Sequence, residues 1–79
     1  SFTYTVKNTG DGKLEGKVVS VNLGDKLQLT IKNDAGQYTL IIDKNVKLVG
    51  IKNLREIKRG MEIELRIKNG KIVEIKVDD

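Results

Sequence analysis

The chain has 79 residues, with 15 Lys and Arg against 11 Asp and Glu for a net charge of +4, and it contains no cysteine, histidine or proline. A chain this short is one domain, residues 1–79, whose core hides only about 60–65% of the surface its unfolded form exposes. Without Cys or His, zinc fingers, thiolate nucleophiles, disulfide frameworks, haem ligation and Ser-His-Asp relays are excluded, so the composition argues against an enzyme.

Apolar runs such as residues 40–42 fall far short of the ~18 residues that cross a bilayer, so no membrane span is expected. No basic-then-apolar leader opens the chain. The absence of cysteine fits the cytosol and thiol-free bacterial surface proteins alike, and leaves localisation open.

Period-two alternation of apolar and polar residues, the mark of half-buried strands, dominates the chain. It starts with Phe2, Tyr4 and Val6 against Thr3 and Thr5. Residues 8–12 read as a loop. Residues 14–23 form a long strand whose apolar phase switches between Val18 and Val19, as a bulge or a barrel bend requires. Gly24-Asp25 turns the chain. The next hairpin is set by register, because cross-strand neighbours share a face. Pairing Ile31 with Tyr38, Leu29 with Leu40 and Leu27 with Ile42 leaves a four-residue loop, Asn33-Asp34-Ala35-Gly36. Residues 46–51 read as a separate short strand. Leu54 and Ile57 then lie three apart, so one helical or 3₁₀ turn lays both on the core.

In the last hairpin Asn69-Gly70 is a strong type I′ signal. That register opposes Val73 to Arg66 and Ile75 to Glu64. A three-residue loop, Lys68-Asn69-Gly70, instead pairs Leu65 with Val73, Ile63 with Ile75 and Met61 with Val77. The sequence therefore predicts a type I turn with a G1 bulge and Gly70 left-handed. Val19, Val21, Leu27, Leu29, Ile31, Tyr38, Leu40, Ile42, Leu54, Ile57, Ile63, Leu65, Val73 and Ile75 make the expected core. A faint internal repeat aligns residues 24–33 (GDKLQLTIKN) with 60–69 (GMEIELRIKN), by duplication or by two hairpins converging on one job.

Few residues suggest chemistry. Asp11, Asp25, Asp34 and Asp43 fall in turns, where carboxylates bond nearby amides. Glu62 and Glu64 alternate along an exposed strand face, without the cleft that a carboxylate pair needs. The Asp11-Gly12 loop lacks the spacing of a calcium loop. Gly10-Asp11-Gly12 lacks the following helix of a dinucleotide site. No catalytic residue, metal or cofactor is expected.

The middle third is basic, and Lys47, Lys52, Arg55, Lys58 and Arg59 are the candidate contacts to nucleic-acid phosphates. Against this, Phe2, Tyr4 and Tyr38 sit on apolar faces rather than as base-stacking platforms. The 12 Lys to 3 Arg also run against the guanidinium preference of phosphate forks. Lys32, Lys71 and Lys76 read as guards on exposed strand edges.

From Leu54 onward a pattern emerges: Leu54-x-x-Ile57-x-x-Gly60-x-x-Ile63-x-Leu65, a glycine turn, then Ile72-Val73-x-Ile75-x-Val77. Upstream stand Gly16-Lys17-Val18-Val19-Ser20-Val21, Tyr38 and the Asp43-x-x-Val46 step. Together they resemble small β-barrel modules of bacterial cell-surface and S-layer-associated proteins, over most of the chain. OB-fold and SH3-like barrels share the pattern. Met61 departs from it, since most such modules carry Asp after the glycine. The resemblance implies structural spacing or surface display and supplies no catalytic residues.

The expectation is an all-β fold: a five- to six-stranded SH3-like or OB-like barrel with at most one short helical turn. The expected function is a non-catalytic structural or interaction module of a larger bacterial surface or secreted protein. It would meet neighbouring domains or a protein partner through an edge strand. The alternative is a nucleic-acid-binding barrel using the basic stretch.

Overall fold

A computed structural model describes the backbone of Tyr4–Thr5 and all of residues 11–77. The strands are β1 (Tyr4–Thr5), β2 (Gly12–Leu23), β3 (Leu27–Asn33), β4 (Gly36–Val49), β5 (Glu62–Lys68) and β6 (Lys71–Val77). A single 3₁₀ turn, Leu54–Glu56, joins β4 to β5. Of the predicted first strand only Tyr4 and Thr5 are described; Phe2, Thr3, Val6 and the loop residues Asn8, Thr9 and Gly10 lie outside the described residues.

Five of the strands close into a barrel. β2 pairs antiparallel with β3 and β5, β3 with β4, and β5 with β6, while β4 and β6 close the ring in parallel. β1 runs parallel beside β4 at Tyr38 and Thr39, on the same edge that β6 covers from Ile41 onward. The long strand β2 serves two neighbours in turn. Its first half pairs with β5 through Lys17↔Glu62, and its second half pairs with β3 from Lys17↔Lys32.

The interior is aliphatic. Val18, Leu29, Ile31, Leu40, Ile42, Ile63, Leu65, Ile67, Ile72 and Ile75 are buried within the ring strands, and Ile57 is buried just after the 3₁₀ turn. Leu54 is partly buried against them, so the two residues expected to bring this turn onto the core do so. The turn is held by a capping box. Asn53 Oδ1 accepts from the Arg55 amide at 2.8 Å, while Glu56 Oε2 accepts from the Lys52 and Asn53 amides at 2.7 and 2.8 Å.

The first hairpin has the expected register, Leu29↔Leu40 and Ile31↔Tyr38, but pairing runs on to Asn33↔Gly36. Its loop is therefore the two residues Asp34 and Ala35, tightened by the Ala35 amide donating to Asn33 Oδ1 at 2.8 Å. Residues 46–49 are not a separate strand. β4 runs unbroken from Gly36 to Val49, with its register against β6 shifting between Ile42 and Lys47.

The last hairpin departs from expectation. Asn69 and Gly70 have φ of 53° and 76°, the type I′ pattern, and Lys68 pairs with Lys71. The conflict of facing that argued against this turn is resolved inside the strand. Ile67 pairs with Ile72, Arg66 pairs with Glu74, and Val73 is left over as a bulge. Beyond it Leu65 faces Ile75 and Ile63 faces Val77. The extra residue absorbs the slip, so the predicted G1 turn and its three pairings are replaced. A second extra residue, Val19, stands between Val18↔Ile31 and Ser20↔Thr30 at the predicted phase switch. Val19 and Val73, both expected in the core, are only half-buried, and Val18, Ile67 and Ile72 fill the interior in their place.

The expected edge guards also change meaning. Lys32 lies on β3, which has β2 on one side and β4 on the other. Lys71 and Lys76 lie on β6, between β4 and β5. None of the three guards an open edge.

Candidate functional site

Filling the barrel with aliphatic chains leaves polar chemistry to its outer surface. There, carboxylates serve the fold. Asp11 Oδ1 accepts from the Asn69 amide at 3.2 Å, and Asp43 Oδ2 accepts from the Asn45 amide at 3.0 Å. Glu56 belongs to the capping box. Glu62 stands 3.8 Å from Lys17 Nζ, and Glu74 stands 3.5 Å from Arg66 Nε.

Strand register explains the charge pattern. Across the β2–β5–β6–β4 face one lateral row reads Lys13, Arg66, Glu74, Lys47, and the next includes Glu15, Glu64 and Lys76. Four cations and three carboxylates share these rows, with like charges side by side at Lys13–Arg66 and Glu15–Glu64 and opposite charges side by side at Arg66–Glu74 and Glu64–Lys76. On the β3–β4 face the residues are mostly uncharged: Gln28 faces Ile41, and Thr30 faces Thr39 with their hydroxyl oxygens 2.9 Å apart.

The five basic candidates are all exposed and spread over several elements. Lys47 lies on β4 in register with Glu74. Lys52 and Arg55 flank the capping box, with their backbone amides engaged by Glu56 and Asn53. Lys58 starts a tight turn in which the Met61 amide donates to its carbonyl at 3.2 Å. Arg59 lies inside that turn. It is the candidate that the fold joins to other cations.

That junction is built by register. Glu62, Lys17, Lys32 and Gln37 form one lateral row across β5, β2, β3 and β4. Val18, next to Lys17, holds the segment before β5 with two backbone hydrogen bonds: its amide donates to the Met61 carbonyl at 2.9 Å, and its carbonyl accepts from the Gly60 amide at 2.8 Å. Arg59 is thereby fixed beside the row. Lys17, Lys32, Gln37 and Arg59 line one shallow depression of about 380 Å³, floored by Val18, Val19 and Gly60.

Lys17 and Lys32 were not among the sequence candidates. They stand fifteen positions apart on the two arms of the β2–β3 hairpin and oppose each other only because the extra residue Val19 shifts the register by one, and no local run of charge marks them. A second depression, of about 350 Å³, lies where Val73 bulges outward near Asp11, Lys13, Arg66 and Lys68. Its cations are partly offset by Asp11, and Arg66 is drawn to Glu74.

No protein family matches the chain, and no curated protein or solved structure matches it either.

Proposed function

We propose that this barrel is a non-catalytic structural or interaction module, carried as one unit of a larger, surface-exposed or secreted bacterial protein. The observation that carries the reading is the solid interior, formed by side chains without reactive groups, together with carboxylates committed to turns, the cap and surface pairs. Such a body transmits position and presents a surface. The strand order, with β4 and β6 parallel and the 3₁₀ turn placed before β5, supports an OB-like rather than an SH3-like arrangement.

Edge-strand contact has two places to act. Residues 20–23 of β2 lack a strand neighbour on the side away from β3, and residues 43–49 of β4 lack one on the side away from β6, among the described residues. Amide hydrogen exchange tests this use. Comparing the 79-residue chain alone with the same chain extended by its native flanking sequence, slower exchange in either segment is expected. Unchanged exchange in both overturns edge lending.

The exposed cations Lys52, Arg55, Lys58 and Arg59, gathered on one connection, favour nucleic-acid binding as the second reading. Titration against single- and double-stranded oligonucleotides at two salt concentrations decides it. Phosphate contacts give an affinity that falls steeply with salt, and no binding at low salt removes the reading.

A further inference from the structure

We propose that the depression bounded by Lys17, Lys32 and Arg59 is a binding site for a phosphoryl group, supplied either by the backbone of a polynucleotide or by a free phosphate. The inference shares Arg59 with the oligonucleotide reading above, while Lys47, Lys52, Arg55 and Lys58 take no part in it, and its free-phosphate arm stands without that reading.

Three observations carry it. First, Lys17 and Lys32 are direct cross-strand partners, and like charges in that relationship repel. An anion seated between them turns the repulsion into attraction. Lys17 does have Glu62 at 3.8 Å, but both side chains are more than half exposed, at 57% and 60%, so the pair holds Lys17 weakly. Lys32 and Arg59 have no ion pair among the described residues.

Second, the charge of the lining is one-signed. Among the described residues, three cations and no carboxylate border this depression. The adjoining hollow shares Lys17 and Lys32 but is also lined by Glu15, Asp34 and Glu62, which repel an anion. The attractive side of the lysine pair is therefore the side where Arg59 stands.

Third, the site is preformed. The two hydrogen bonds to Val18 fix the Arg59–Gly60–Met61 segment against β2, and the bulge at Val19 falls at the same point. The backbone that follows Arg59 is held by the fold's own hydrogen bonds, so less conformational freedom is lost on binding. Arg supplies a planar fork for phosphate oxygens while the two Lys act as point charges.

The test uses the ¹⁵N-labelled 79-residue chain at low salt, titrated separately with inorganic phosphate and with an oligothymidylate. Both probes are expected to move the amide signals of Lys17, Val18, Lys32, Arg59 and Gly60. The double variant Lys32→Gln/Arg59→Gln, its fold checked by thermal melting, is expected to weaken both probes about tenfold, as loss of charge-assisted bonds implies. Its dependence of log affinity on log salt for the oligonucleotide flattens by about 1–2. Lys26→Gln/Lys44→Gln, two exposed cations outside every candidate site, leaves phosphate binding unchanged. An oligonucleotide that binds far more tightly and with a steeper salt slope than phosphate identifies a polynucleotide as the source; equal binding per phosphoryl group identifies free phosphate. Signals that move elsewhere, an unaffected double variant, or no response to either probe overturns the site. These failures leave the structural-module reading standing, because that reading is decided by hydrogen exchange.

Discussion

Gly16 lies against the carbonyl of Lys32 so closely that a Cβ on it would stand 2.5 Å from the oxygen and 3.1 Å from the carbon. The contact marks the place where β2 leaves β5 for β3: Gly16 pairs with Ile63, and the next residue, Lys17, pairs with both Glu62 and Lys32. The strand can pass this close to β3 because the residue at that point has no side chain. Gly16→Ala is expected to destabilise the barrel by ~1–3 kcal/mol, since the obstruction is backbone and cannot swing away. Gly12→Ala on the same strand meets nothing within 4 Å and is expected to gain ~0.4–1 kcal/mol from a stiffer unfolded chain. Urea unfolding of both variants checks the contrast; equal effects would refute it.

The bulge in β6 makes neighbouring residues unequal. Val73→Thr is expected to change stability by no more than ~0.5 kcal/mol, because its side chain lies on the outward groove. Ile72→Ala is expected to cost ~2–5 kcal/mol, because Ile72 is fully buried. A large loss from Val73→Thr would restore the register that pairs it with Leu65.

Thr30 and Thr39 form a hydroxyl pair on the outer face, with Thr30 only 9% exposed. Replacing either by Val strands the other hydroxyl and is expected to cost ~1 kcal/mol. The double replacement is expected to cost less than the sum of the two, since it removes both polar groups together. A double-mutant cycle in guanidinium chloride measures the coupling, and strict additivity counts against the bond.

Glu56 closes the 3₁₀ turn through one oxygen that accepts two amides. Glu56→Ala is expected to cost ~1 kcal/mol, in the range of lost helix caps, whereas Glu56→Gln keeps an acceptor oxygen and costs less. Thermal melts rank the three proteins. Indistinguishable melting points would show that the cap holds nothing.

Much of this architecture was legible in the chain because alternation reports burial directly. Leu29, Ile31, Leu40 and Ile42 were placed correctly, and so were the 3₁₀ turn and the disturbance at Val18 and Val19. Ile63, Leu65 and Ile75 are buried as alternation predicts, and what differs is the register and the facing of the residue at each irregularity. One extra residue inverts everything beyond it. Alternation assigns Val19 and Val73 to the core, but each is that extra residue, and it separates residues 46–49 from the strand before them because β4 shifts register without ending. The internal repeat held a clue: it aligns Ile31 with Ile67, and both are buried. The phosphoryl site was harder to see. Arg59 stood in a visible basic stretch, but Lys17 and Lys32 become neighbours only through pairing between separate strands.

The ring is completed by β6, whose residues join β5 on one side and β4 on the other. A nascent chain with Lys71–Val77 still inside the ribosomal tunnel therefore has every other ring strand but no barrel. Until that ribbon emerges, β4 and β5 each carry a bare row of amides and carbonyls, the kind of template that recruits foreign strands. Closure is then a single late event joining segments far apart along the chain, and its speed governs how long the unfinished sheet is open to association with its neighbours.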